Sequence, residues 1–404
     1  MRDNERVVVT GIGVISSIGI GKDAFWKAAL AGTSGISKVT LFDTSSFKRN
    51  YGGEVKNFES NKFIEKRKLK FLSRTSQLAI AAATLALEDS GLSLKSASAV
   101  ASGVIIGTTM GERALEDALN AWIEERLDKL DKGIILQSAS NSISANVGIF
   151  LKAHGTNILI PTACAAGNYS IGYGFDLLRK GEIERAIVGG ADAFSKIAFA
   201  GFQRLYAMAP EKCQPFDKNR KGMLLGEGAG ILILEKLDAA LKRNATIYAE
   251  ICGYGLSCDA HHMTAPKPEG IAKAMSKAIK ESKIEDKEVS YICAHGTGTP
   301  SNDKAECVAI KSVLKDNYRK VPVSSLKSML GHTMGAASAI EAAACCLAVK
   351  NDSIPPTINF ETADPECDID SVANKSRKAR VNIALNNAFA FGGNNSCVVF
   401  KKYS

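Results

Sequence analysis

One cysteine and two histidines stand out by their positions. Cys164 lies in Ile158-Leu159-Ile160-Pro161-Thr162-Ala163-Cys164-Ala165-Ala166-Gly167, and Ile171, Phe175 and Leu178 follow at helical spacing. That pattern reads as a buried strand, a tight turn and a helix, with the thiol at the helix start. The positive end of a helix dipole favours thiolate, so the expectation is a cysteine with lowered pKa. The small residues Ala163, Ala165, Ala166 and Gly167 leave room for a substrate to approach. Taken alone, the segment suits a buried structural thiol equally well. His295 in Ala294-His295-Gly296-Thr297-Gly298-Thr299 and His332 in Ser328-Met329-Leu330-Gly331-His332-Thr333 each follow a strand-like run. Either could be a capping or core residue. In parallel α/β sheets, however, strand ends converge on one crevice, so a thiol and two imidazoles delivered this way can meet for covalent catalysis. Lys327, just before His332, adds a charge that biases their protonation.

The elements that must position these groups follow an α/β rhythm. Val7-Val8-Val9-Thr10-Gly11, Val104-Ile105-Ile106-Gly107, Ile158-Leu159-Ile160 and Ala186-Ile187-Val188-Gly189-Gly190 alternate with helical stretches such as 72–90 and 165–180. The theme returns in 247–253, 291–294, 321–325, 381–385 and 396–400. Two similar halves, 1–245 and 246–404, are expected, with the charged helix 235–243 at the seam and no Pro/Ser-rich linker to let them hinge.

Composition narrows the classes further. With 404 residues, 46% hydrophobic and 23% charged, the chain can bury a large core and is no disordered or fibrous protein. The ten cysteines include no C-x-x-C pair, which argues against zinc. The start Met-Arg-Asp-Asn-Glu-Arg lacks the apolar stretch of a signal peptide, so a reducing cytoplasm is expected, with most thiols as packing residues. The longest apolar runs, such as 79–87, are too short for a bilayer. Gly11-Ile12-Gly13 is followed by Ser16 where a dinucleotide fingerprint needs its third glycine. The net charge of +9 leans toward an acidic partner, and Lys66-Arg67-Lys68-Leu69-Lys70 is a candidate docking run. A plain solvated helix is the alternative there, and the scarcity of nearby aromatics speaks against nucleic acid.

Thr162-Ala163-Cys164, His295-Gly296-Thr297-Gly298-Thr299, Lys327 to His332 and Phe391-Gly392-Gly393-Asn394-Asn395 occur in an order that resembles the elongating β-ketoacyl-acyl carrier protein synthases. Pro215-Phe216-Asp217 through Gly226-Glu227-Gly228-Ala229-Gly230 extends the resemblance to essentially the whole chain. It implies the thiolase fold, with two βαβαβαββ halves forming a five-layered α-β-α-β-α core, and a dimer. It further implies that Cys164 takes the acyl chain as a thioester, while His295 and His332 stabilise the enolate formed when malonyl-carrier protein loses carbon dioxide. The N–H groups of Cys164 and Phe391 would form the oxyanion hole, and Phe391 would gate the acyl pocket. Thr297 and Thr299 would contact the phosphopantetheine arm, and Lys327 and Glu341 would support the histidines. Glu341 lies in an alanine-rich helix, where a buried carboxylate needs a partner and a solvated one needs none. No metal or organic cofactor is required.

Some positions depart from the fatty-acid enzymes. Gly107-Thr108-Thr109-Met110-Gly111-Glu112 stands where those are richer in glycine and isoleucine, Ala166 where serine is common, and Asn394 where they carry threonine. Ala390 replaces a glycine before Phe391 and should stiffen the gate loop. These differences bring in the ketosynthase subunit of type II polyketide systems, which works beside a chain-length-factor partner. A non-catalytic chain-length-factor-like subunit is the alternative function; retention of Cys164 with both histidines argues against it. The initiating synthases carry Cys-His-Asn, so His332 argues against them. Simple thiolases would need a second catalytic cysteine where this chain has Phe391-Gly392-Gly393.

Overall fold

Eight elements in the order β-α-β-α-β-α-β-β occur twice along the chain. In the computed structural model, which describes residues 6–94, 100–126, 128, 133 and 137–404, the first set is β1 (Val7–Ser16), α1 (Arg74–Asp89), β2 (Ser102–Gly107), α2 (Ser142–Leu151), β3 (Asn157–Ile160), α3 (Ala166–Lys180), β4 (Arg185–Asp192) and β5 (Gly228–Lys236). The second is β6 (Ala249–Cys258), α4 (Pro268–Glu281), β7 (Tyr291–Cys293), α5 (Pro300–Leu314), β8 (Val323–Ser324), α6 (Ala337–Asn351), β9 (Ile383–Phe389) and β10 (Asn394–Lys401). Further helices and short strand pairs decorate the connections.

Strand order repeats as well. The first half runs β3-β2-β4-β5-β1 and the second β8-β7-β9-β10-β6. In each, the first three strands are parallel and the last two are added antiparallel. The half-sheets join where β1 pairs antiparallel with β6 over Val7–Val9. Helix α1 packs on β1 and β5 outside the first half-sheet, and α4 on β6 and β10 outside the second, while α3 and α6 touch strands of both. The result is five layers, α-β-α-β-α.

The central layer explains its own composition. Nearly all of α6 is buried, and its alanines and Cys345-Cys346 keep it slim enough to lie between two sheets. Where α3 crosses α6, a Cβ on Gly167 would come within 2.7 Å of the Ala339 nitrogen, so only glycine permits that approach. Polar pins accompany the apolar contacts: Asn386 Nδ2 donates to Asn168 Oδ1 and to the Ser338 carbonyl.

Element boundaries differ from expectation in instructive places. β1 continues through Gly11-Ile12-Gly13 to Ser16, so the glycine pair is part of a strand and forms no phosphate loop. A side chain at Gly13 would strike the Ala82 carbonyl of α1 at 1.9 Å. Residues 235 and 236 of the expected seam helix end β5 instead, and the helix spans Leu237–Lys242. Among the described residues no helix is long and apolar enough to cross a membrane.

Candidate active site

Strand ends deliver the three candidate groups to one cavity. β3 ends at Ile160, and Ala163–Ala165 forms a single 3-10 turn before α3, with Cys164 in its middle. Ala163 has φ of 49°, a left-handed conformation that non-glycine residues seldom adopt. His295 follows β7, and His332 follows the short helix Lys327–Leu330 after β8. Cys164, His295, His332, Thr297, Thr299 and Phe391 all line a cavity of about 280 Å³. The imidazoles meet edge to face with centroids 5.3 Å apart. The Thr297 and Thr299 hydroxyls are hydrogen bonded to each other at 2.9 Å. Phe391 is 37% exposed and leans on Phe202 with ring centroids 5.5 Å apart, as a side chain at a cavity mouth should.

Both histidines are buried and neutral. Burial holds each well below the usual imidazole range, with the Lys327 ammonium adding to the effect and, for His295, the neighbouring His332 as well. His332 Nδ1 accepts the Met334 N–H at 3.1 Å, which leaves the ring proton on Nε2 as a donor. His295 has its own backbone N–H, and that of Gly296, accepted by the buried Glu306 carboxylate at 2.9 and 2.8 Å. Asp303 accepts the Gly298 and Phe216 N–H groups and so braces the loop carrying Thr297 and Thr299.

Lys327 and Glu341 form a buried ion pair, Nζ to Oε1 at 2.5 Å. Glu341 is therefore no solvated helix residue. Burial pushes its carboxyl up to about 7 against the opposing pull of Lys327. Removing one partner of such a pair would strand a buried charge, at about 3–5 kcal/mol.

The lowered pKa expected for Cys164 is not found. Burial pushes the thiol up to about 12, with Lys327 the leading opposing influence. Desolvation of a thiolate at 6% exposure outweighs the helix-start field, so the resting group is a thiol. The other nine cysteines are not all packing residues either. Cys258, at the end of β6, is exposed, and its thiol faces the Gly392 carbonyl. Lys66, Arg67 and Lys68 sit on the short exposed helix Lys66–Leu69, away from the cavity lining, and Arg67 and Lys68 both pair with Glu65.

Glu306 and Asp303 escaped sequence reasoning. The signal available was two acidic residues in the first two turns of α5, directly after a glycine-rich loop with amides to satisfy.

Two family models cover most of the chain: the β-ketoacyl synthase N-terminal domain over residues 4–240 and the β-ketoacyl synthase C-terminal domain over 248–361. The chain belongs to the β-ketoacyl synthase family. Among its relatives in this family, the 3-oxoacyl-[acyl-carrier-protein] synthase 2 of Synechocystis sp. is 41% identical over 99% of both chains, and that of Staphylococcus aureus 39% over all of both. The solved ishigamide ketosynthase/chain length factor superposes with a TM-score of 0.95 at 43% identity over 99% of each chain. A type II PKS ketosynthase in complex with its acyl-carrier protein and bound to the hexaketide gives 0.89 at 32% over 99% of each. The five layers described above are those of the thiolase fold, as in these β-ketoacyl synthases.

Proposed function

We propose that this chain is a β-ketoacyl-acyl carrier protein synthase that condenses malonyl-carrier protein, with loss of carbon dioxide, onto an acyl chain held by Cys164. The observation that carries the reading is one cavity lined by Cys164 together with two neutral histidines, one of them fixed as an Nε2–H donor. The Cys164 sulfur displaces the phosphopantetheine sulfur of the acyl-carrier protein, and the thiol proton leaves with that sulfur. Malonyl-carrier protein then binds with its arm along Thr297 and Thr299. His295 and His332 donate to its thioester carbonyl, so the electron pair left by carbon dioxide is held as an enolate. The enolate carbon attacks the acyl-Cys164 carbonyl, whose oxyanion is held by the Cys164 and Phe391 N–H groups, and collapse releases the Cys164 sulfur. Phe391 gates the acyl chain, and the buried Lys327–Glu341 pair supports the histidines.

Residues 1–245 contribute the nucleophile and 246–404 the two histidines. The product is a β-ketoacyl-carrier protein of fatty acid or type II polyketide synthesis, in keeping with relatives of both kinds. The partners are an acidic acyl carrier protein, met by Lys66, Arg67 and Lys68, and a second synthase subunit, either identical or a chain-length-factor paralogue. Ten cysteines in a chain of 404 residues suit a reducing cytoplasm. No metal or organic cofactor enters the reaction.

Incubation with acyl-carrier protein should add the acyl mass to the peptide containing Cys164; label on another cysteine would sink the assignment. Changing His295 or His332 to alanine should abolish carbon dioxide release from malonyl-carrier protein while some Cys164 acylation remains. A homodimer that elongates saturated chains would indicate fatty acid synthesis, and a tight complex with a cysteine-less paralogue polyketide synthesis.

A further inference from the structure

Asp192 ends β4 and is fully buried. Its Oδ1 accepts from the Thr108 hydroxyl at 2.7 Å and the Met110 N–H at 3.0 Å, and its Oδ2 from the Thr109 and Gly335 N–H groups at 2.8 and 2.6 Å. Those donors fill the acceptor sites of a carboxylate. Three belong to the loop after β2, while the fourth belongs to the other half of the molecule. Gly335 is the middle residue of the Met334–Ala336 turn, which begins just after His332-Thr333. The first amide of that turn, Met334 N–H, donates to His332 Nδ1, and the next donates to Asp192. The turn has no slack in this direction: a Cβ on Gly335 would lie 2.6 Å from Thr108 Cα and from the Thr109 nitrogen. Burial pushes the Asp192 carboxyl up to about 6, with its four donors opposing, so it is ionised in neutral solution.

We propose that Asp192 is a positioning residue for His332: by clamping Gly335 it holds the Met334 amide on Nδ1 and so keeps the imidazole in the orientation and tautomer that donate from Nε2. This rests on the reading of His332 as a donor to the malonyl thioester. A carboxamide cannot reproduce the carboxylate, because its NH2 group faces the Thr109 and Gly335 N–H donors in one orientation and the Met110 N–H in the other. Thr108→Val is the gentler lesion, removing one donor and leaving the carboxylate in place.

The test measures the two half-reactions separately. In Asp192→Asn, carbon dioxide release from malonyl-carrier protein should fall by roughly 30-fold in kcat with little change in KM, while Cys164 acylation falls less than about 3-fold. Thr108→Val should show the same split at about 3-fold. Adding Asp192→Asn to His332→Asn should lower decarboxylation no further, since both act through one ring. Equal losses in both half-reactions, no loss in either, or additive losses in the double variant would each overturn the role of Asp192. Should Asp192→Asn fail to fold, Thr108→Val decides by the same split. Normal decarboxylation by His332→Asn would instead overturn the reading of His332 itself, and Asp192's role with it. A His332→Asn defect beside an unaffected Asp192→Asn overturns the Asp192 inference alone.

Discussion

In the first half β3 runs through the turn Ala163–Ala165 into α3, and in the second β8 leads by way of His332 into the turn Met334–Ala336 and α6. Both are 3-10 turns opened by a residue in the left-handed region, with φ of 49° at Ala163 and 55° at Met334. The middle residue is Cys164 in one and Gly335 in the other. Duplication has therefore supplied two equivalent helix starts, each with the same dipole, and only one carries a thiol. The space beside the turn separates them. Cys164 borders the cavity, whereas the place a side chain would take at Gly335 is occupied by the backbone of Thr108 and Thr109. A helix start by itself does not make a nucleophile; room for a substrate on the far side of the sulfur does.

Copying one turn into the other tests this contrast most severely. Cys164→Gly makes the first turn resemble the second and should lower β-ketoacyl product formation by about 10³-fold or more, with the fold retained. Product at a tenth of the normal rate would remove Cys164 from the chemistry. A second measurement asks how far burial outweighs the helix field at Cys164. Because burial raises this thiol above its ordinary value, its thiolate fraction grows with pH throughout the accessible range. Alkylation of Cys164 by a neutral reagent should therefore climb about tenfold per unit between roughly pH 7 and 9, without a plateau. A plateau near neutrality would mean that the dipole and Lys327 prevail. The smallest effect belongs to the reverse substitution. Gly335→Ala adds one methyl group against the Thr108 backbone and should destabilise the protein by about 1–3 kcal/mol in urea unfolding. An unchanged midpoint would show that the second turn has spare room.

Strand ends were the legible part of the site. Cys164, His295 and His332 each follow a β-branched run, and parallel strands ending together bring such residues to one place. The repeat was legible for the same reason, although boundaries moved where tertiary contact intervened: β1 was expected to stop at Gly11, and its glycines instead let α1 lie against a longer strand. Asp192 was not legible, because three of its four donors are backbone amides from loops far away in sequence, and an amide leaves no mark in the residue pattern. The state of Cys164 was misread for a related reason. Its helix start is local and visible, but its burial is made by both halves together. Glu341 could be placed only once Lys327 was seen to reach it, since a lone carboxylate among alanines suits either a solvated face or a paired interior.

The seam between the half-sheets bears on how the chain comes into being. β1 lies in the middle of the sheet, with Val7 opposite Lys236 of β5 on one side and Ile251 of β6 on the other. As the polypeptide leaves the ribosome, its first strand is paired only at its end, with the two residues Gly19–Ile20, until β5 has been made, and its third neighbour comes later still. The apolar segment Val7–Ile15 and the face of α1 that covers it stay without their final partners while most of the first half is being synthesised. Pairings this far apart in sequence close slowly and leave apolar surface open to self-association in the meantime. The centre of the molecule is thus among the last parts to form.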